Sequence, residues 1–225
     1  AKLITPTIRK EIIEQFKKSQ KRAVFLDYDG TLVGFKNDPQ AAAPDKTLHE
    51  LLTALEKDKR NTVTIISGRD RNTLENWLGD HKVNLIVEHG VWIKKMGEEW
   101  QMPDNISSEW KPIIRPIMET FVDRTPGTFI EEKNYSLVWH YRKAEPEQGD
   151  LRANELKDEL RNMIANHNLE IMEGNKVIEI KAGGINKGVA AVRFLKDQNF
   201  DCILAIGDDW TDEYMFRELP ESAIT

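Results

Sequence analysis

Apolar residues along this chain gather into short runs, each ending at a polar residue. Ala23-Val24-Phe25-Leu26 runs into Asp27, Thr62-Val63-Thr64-Ile65-Ile66 stops at Ser67-Gly68, and Cys202-Ile203-Leu204-Ala205-Ile206 ends at Gly207-Asp208. Short apolar runs without strict alternation predict strands buried on both faces, the kind found in parallel sheets. Between the first two runs, Leu48, Leu51, Leu52 and Leu55 share one helical face within residues 45–57, so the region reads as strand, helix, strand. The same order continues with a helix near 73–78, a strand over 84–87 that breaks at His89-Gly90, and a hairpin through 92–100. Ahead of all this, Ile12, Ile13 and Phe16 recur among charges within 8–22, predicting a short amphipathic helix that leads into the first strand.

From about Pro103 the order changes. A helix over 110–122, strands over 128–132 and 136–141, a helix over 151–167 and strands over 170–172 and 177–180 follow one another. After Ala182-Gly183-Gly184 the first pattern returns, with a helix over 187–196, the strand 202–206 and a further helix opened by Gly207-Asp208-Asp209. The pattern predicts an α/β core split in sequence, residues 1–102 and 183–225, with a second α+β domain, 103–182, inserted into it.

Composition narrows the function classes. At 225 residues and 40% apolar content the chain can bury a sizeable core. No apolar run approaches the ~18 residues of a membrane span, and the start, Ala1-Lys2-Leu3-Ile4-Thr5-Pro6, lacks the apolar core of a secretory signal. The single cysteine, Cys202, sits within an apolar strand, which rules out an intrachain disulfide and suits a core role. A cytoplasmic protein without membrane contact is expected. The net charge of -6, with the two signs interspersed, argues against nucleic acid as a partner and leaves a small anionic substrate open.

The polar residues at the strand ends carry the chemistry. Asp27 and Asp29 are two apart, so on an extended chain both carboxylates project to one side and require a cation or a shared proton. Asp208, with Asp212 four residues on, adds hard oxygen donors at the end of another strand, where ligands of open α/β sheets bind. Carboxylates of this kind beside a phosphate suit magnesium, so Asp27, Asp29, Asp208 and Asp212 are the expected Mg2+ ligands. Phosphoryl transfer needs a placed nucleophile, neutralised equatorial oxygens and a proton donor for the leaving oxygen. Asp27 is the expected nucleophile, through an aspartyl-phosphate, and Asp29 the general acid and later base. The Ser67 hydroxyl and Lys187, which opens a helix after Gly183-Gly184, are placed to meet phosphoryl oxygens.

Each piece alone has a plainer explanation. Asp-x-Asp-Gly occurs in turns and calcium loops, Ser67-Gly68 makes a turn, Lys187 is a lysine at a helix start, and Asp208-Asp209 could cap a helix. Their order along the chain, each after an apolar strand, distinguishes the set.

That ordered set, Asp27-x-Asp29-Gly30-Thr31, Ser67, Lys187 and Gly207-Asp208-Asp209-x-x-Asp212, resembles the four motifs of the haloacid dehalogenase superfamily. Residues 34–44, Ile66-Ser67-Gly68-Arg69, Glu88-His89-Gly90, Gly184-x-Asn186-Lys187-Gly188 and Asp208-Asp209-x-Thr211-Asp212-Glu213 look like the trehalose-6-phosphate phosphatase family, over about residues 22–220. The resemblance implies a Rossmann-like core with an inserted α/β cap domain, and Mg2+-dependent hydrolysis of a sugar phosphate, trehalose 6-phosphate, whose sugar the cap reads. It implies substrate contacts from Thr31, Arg69, His89 and Gly90 in the core and from Glu131, Arg142, Lys176 and Glu179 in the cap. Lys133 and Lys181 share the charged alternation of the cap strands, which by itself describes a solvated strand face. His140 is read as structural, and Trp92, Trp100 and Trp139 as packing.

Where the family continues with another strand and helix, the sequence ends at Ala223-Ile224-Thr225. The residues before Lys21 resemble the segment that joins a synthase domain to the phosphatase in two-domain trehalose enzymes, so a fused or associated synthase domain is an expected partner. Three rival readings stand beside this one. One is the same chemistry on sucrose phosphate or a mannosyl phosphate. Another is a phospho-accepting receiver module, which Asp29 and the large insert argue against. The third is a silent regulatory module attached to a synthase.

Overall fold

The computed structural model describes residues 5–36, 38–103, 106–196 and 198–225. In chain order the elements begin with α1 (Pro6–Lys18), β1 (Arg22–Asp27), α2 (Lys46–Lys57), β2 (Asn61–Ile66), α3 (Arg71–Leu78), β3 (Asn84–Val87) and β4 (Trp92–Lys94). There follow α4 (Lys111–Arg124), β5 (Phe129–Glu132), β6 (Ser136–His140), α5 (Pro146–Asn166), β7 (Leu169–Gly174) and β8 (Val177–Ala182). The last three are α6 (Lys187–Leu195), β9 (Cys202–Ile206) and α7 (Asp212–Glu218). The chain divides into two compact units, residues 1–103 with 186–225, and residues 104–185.

The first unit is built on a five-stranded sheet in the order β4-β3-β2-β1-β9. Its members are parallel except β4, which runs antiparallel to β3. β1 is buried along its whole length, as its unbroken apolar run predicts. On one side Leu48 and Leu52 of α2 and Leu74 and Leu78 of α3 pack with Val24, Leu26 and Ile65. On the other, Ala190, Ala191 and Phe194 of α6 pack with Phe25 and Ile66, with the Phe25 and Phe194 rings edge to face at 5.9 Å. Asp45 and Asp70 start α2 and α3 by accepting from the backbone N–H of Leu48 and Thr73 at 2.8 and 2.9 Å. Cys202 is buried in β9.

The second unit is a four-stranded antiparallel sheet in the order β5-β6-β8-β7. α4 and α5 cover one face, where Ile114, Met118, Leu156 and Leu160 meet Leu137, Trp139, Ile178 and Ile180. The alternate residues of the strands, Glu131, Val138, His140, Glu179 and Lys181 among them, belong to the opposite face.

Three element boundaries depart from the sequence pattern for local reasons. α5 starts at Pro146 rather than 151, because Glu145 accepts from the N–H groups of Glu147 and Gln148 and proline occupies the first helical turn. Leu151, which set the expected start, is an exposed residue inside that helix. α7 starts at Asp212 rather than at 207–209, since those residues form a turn that precedes the helix. The hairpin expected over 92–100 is led by β4, which pairs back onto β3, while Ile93 also bridges to Gln101. Among the described residues no helix is long and apolar enough to cross a membrane.

Candidate active site

β1, β2 and β9 lie side by side with their carboxyl ends level. Asp27 is the register partner of Ile66, and Leu26 that of Ile206. Asp27, Ser67 and the turn after Ile206 therefore emerge at one edge of the sheet, the place where open α/β sheets bind ligands.

Lys187 joins them. It is the first residue of α6, where Asn186 caps the helix by accepting from Val189 N–H at 2.9 Å. From there the Lys187 ammonium donates to Asp27 Oδ1 at 2.6 Å and to Asp212 Oδ1 at 2.8 Å, with all three side chains buried. Asp212 Oδ2 accepts the N–H groups of Asp208 and Asp209 at 3.2 Å each. Asp209 Oδ1 in turn accepts from Thr211 N–H and Oγ1 and from Asp212 N–H. The 207–212 turn is thus tied around two carboxylates, with Asp208 left at its exposed tip and touched by the Thr31 hydroxyl at 3.3 Å. Two glycines permit this closeness. A Cβ on Gly30, which sits at φ +95, would overlap the Asp208 carboxylate, and one on Gly207 would overlap that of Asp212.

The charges do not balance within the cluster. Burial pushes the Asp27 carboxyl up to about 6 against the pull of Lys187, and burial likewise raises that of Asp212. Burial alone would lower Lys187, but Asp27 and Asp212 outweigh it and hold the ammonium above its ordinary value. One lysine thus serves two buried carboxylates. Asp27 Oδ2 is buried without a hydrogen-bond partner among the described residues. Carboxylate oxygens of Asp27, Asp208 and Asp212 lie within 4.8 Å of one another. Oxygen donors at that spacing, with unmatched negative charge and an orphaned buried oxygen, fit a hard divalent cation such as Mg2+.

A pH dependence follows for the cation-free protein. The fold favours the neutral Asp27 carboxyl, so between 3.8 and about 6 the folded state binds more protons than the unfolded chain. The contribution from Asp27 is present below pH 4 and is lost as pH rises through about 6. At most it is about 3 kcal/mol. Urea titrations in chelator from pH 4 to 7 should show the Asp27 contribution as a difference, with stability falling more steeply with pH in the parent than in Asp27→Asn, where only the raised Asp212 carboxyl remains.

Asp29 is placed differently. Its two oxygens accept from Arg69 Nε and Nη2 at 2.7 Å each, a two-pronged pair. Arg69 is itself packed over the Trp77 ring at 4.8 Å. The Asp29 carboxylate thus belongs to this ion pair and is not among the carboxylates, those of Asp208 and Asp212, that converge with Asp27. Ser67 is buried, and its hydroxyl accepts from Arg69 N–H at 3.1 Å. The 67–69 and 88–90 loops are joined by two backbone bonds, Glu88 N–H to Arg69 O at 2.9 Å and His89 N–H to Ser67 O at 3.1 Å. Glu88, His89 and Gly90 all have positive φ, and the His89 ring lies against Gly68. This run of positive-φ backbone brings His89 beside Ser67 and leaves Gly90 against Asn186 and Ala190.

Within the second unit, Glu131 and Glu179 face each other across Val138 of β6. Lys133 Nζ is 3.6 Å from Glu179, and Lys181 is buried with its ammonium on the Ile185 carbonyl. Arg142 and Lys176 do not join that row. Arg142 donates to the Asn175 carbonyl at 3.1 Å, and Lys176 is held by both oxygens of Asp150 on α5 at 2.6 and 2.8 Å.

The trehalose-phosphatase profile matches residues 25–223, nearly the whole chain and both units. The chain belongs to the trehalose-phosphatase family. A Dictyostelium discoideum protein named alpha,alpha-trehalose-phosphate synthase [UDP-forming] B is 44% identical over 211 residues, covering 93% of this chain and 27% of its own length. A bifunctional trehalose-6-phosphate synthase/phosphatase of Thermoproteus tenax is 40% identical over 210 residues, covering 93% of this chain and 29% of its own. This chain therefore spans between a quarter and a third of those relatives. The C-terminal domain of a C. albicans trehalose-6-phosphate phosphatase superposes with a TM-score of 0.84 at 35% identity, covering 93% of this chain and 77% of that one. The fold extends further, to a haloacid dehalogenase-like hydrolase from Bacteroides thetaiotaomicron at TM-score 0.65, 14% identity and coverage of 90% and 88%. The fold is thus the haloacid dehalogenase one, a Rossmann-like parallel core with an inserted α/β unit.

Two features of this trehalose-phosphatase chain escaped the sequence reading. Asp209 organises the turn that presents Asp208 and Asp212. Thr211 two residues on was the available signal, since Asp side chains commonly accept from that position. His140, read as structural, pairs with Glu131 at 2.8 Å on the helix-free sheet face. Its alternation with Trp139, which faces the helices, was the available clue.

Proposed function

We propose that this chain hydrolyses trehalose 6-phosphate to trehalose and phosphate. The observation that carries the chemistry is Lys187 held between Asp27 and Asp212, with Asp208 within reach, at the carboxyl ends of β1 and β9. Family membership supports the substrate.

In this reading an Asp27 carboxylate oxygen attacks phosphorus and forms an aspartyl-phosphate while the bond from phosphorus to the sugar oxygen breaks. Asp29 supplies the proton that the leaving oxygen takes up. Water then attacks the phosphoryl group, Asp29 takes its proton, and phosphate leaves with the Asp27 carboxylate restored. Lys187 and the Ser67 hydroxyl meet the negative charge that spreads over the equatorial oxygens. Asp27, Asp208 and Asp212 would hold Mg2+, whose charge offsets the repulsion between substrate and carboxylates. To exchange protons Asp29 must be released from the Arg69 fork, so Arg69 acts on this residue as well as on the substrate. Thr31, His89 and Gly90 border the phosphate side, and Glu131 and Glu179 are the sugar contacts of the inserted unit. Arg142 and Lys176 would reach a sugar only by giving up Asn175 and Asp150. A synthase domain, as in the T. tenax relative named for both activities, is the proposed partner in a cytoplasmic protein.

Phosphate release from trehalose 6-phosphate should require Mg2+ and stop with chelator, and sucrose 6-phosphate and mannosyl phosphates should be hydrolysed much more slowly. No release from any of these would overturn the reading, and equal rates on all would overturn the choice of sugar.

A further inference from the structure

The helix-free face of the second unit's sheet carries an exposed aromatic ring where charged residues would be expected. Phe129 of β5 is 49% exposed, and its ring lies parallel to the His140 imidazole, with centroids 4.5 Å apart and planes at 4°. The two residues are register partners on adjacent strands, so the stack is fixed by the backbone pairing. His140 Nε2 also contacts Glu131 Oε2 at 2.8 Å, and this hydrogen bond keeps the Glu131 carboxyl below its ordinary value, hence ionised. In the next row Glu131 lies opposite Val138, and Glu179 flanks Val138 from β8 with Lys133 beside it. One flat apolar plate thus borders a row of carboxylate and ammonium groups on rigid strands.

A hexopyranose has matching surfaces, an apolar face of C–H groups and a rim of hydroxyls. An aromatic face, negative at its centre, attracts the polarised C–H groups, and ionised carboxylates accept from the hydroxyls. We propose that Phe129, backed by His140, is a stacking plate for a pyranose ring, and that His140 orients Glu131 to accept a hydroxyl of the same sugar. The proposal rests on the reading of the chain as a sugar-phosphate phosphatase. If the pair were cross-strand packing alone, its loss would change stability slightly and leave sugar affinity untouched.

Phe129→Ala should raise KM for trehalose 6-phosphate about tenfold with kcat little changed, the size expected for one lost aromatic contact. Turnover of p-nitrophenyl phosphate, which has no pyranose, should be unaffected, and Phe129→Trp should restore KM. An unchanged KM in a folded Phe129→Ala variant overturns the proposal. Equal losses on both substrates overturn it as well. If the unmodified chain hydrolyses neither substrate, the functional reading fails separately, and saturation-transfer NMR with trehalose judges the plate. Transfer from the unmodified chain to trehalose that disappears in Phe129→Ala supports it, and no transfer overturns it.

Discussion

Asp27→Asn should abolish phosphate release, lowering turnover by about four to six orders of magnitude, as expected when a covalent nucleophile is removed. The change keeps the shape of the side chain and an oxygen that can accept from Lys187, whose present bond to Asp27 Oδ1 is 2.6 Å. It also removes one of the two buried carboxylates that share a single lysine, so the folded state should be as stable as the parent or more so. A phosphate assay and a thermal melt on the same sample separate the effects. Turnover retained within tenfold would place the nucleophile elsewhere.

Lys187→Met should damage both fold and activity. Lys187 is buried, and so are Asp27 and Asp212 on either side of it. Removing the ammonium leaves two buried carboxylates facing each other without a cation, a loss on the order of 3–5 kcal/mol for a broken buried ion pair. Both carboxylates would then be driven further toward the neutral form, so low pH should recover part of the stability. A divalent cation should recover another part, because it would occupy the same unbalanced charge. Turnover should fall by about two to three orders of magnitude even with Mg2+, the usual effect of deleting one group that meets the developing charge. Urea unfolding with and without Mg2+, at pH 5 and 7.5, tests the first effect. Insensitivity of stability to the substitution would mean that the two aspartates are not charged together in the fold.

Much of the fold was legible because its strands are buried in different ways. β1, covered on both faces, leaves an apolar run that suits a parallel sheet, and the strands of the inserted unit leave alternation because their two faces differ. Their boundaries were less legible. The start of α5 depends on the Glu145 side chain and Pro146, which carry no apolar signal, and exposed Leu151 gave the periodicity a false start.

For the site, the sequence by itself determined the residue types and their order: an Asp pair after one apolar run, a serine after the next, then a lysine at a helix start and an acidic turn. That order pointed to phosphoryl chemistry, because spacing along a strand or helix is a local property. Only the tertiary structure decided which charges meet. Lys187 reaches Asp27, 160 positions earlier in the chain, because parallel pairing levels the ends of β1 and β9 and α6 points its first turn at them. Packing within the first unit sends the Asp29 carboxylate to Arg69, and packing of α5 beside the β7–β8 turn in the second commits Lys176 to Asp150. Such choices turn on angstrom-scale distances between segments remote in sequence, so no local pattern of residues encodes them.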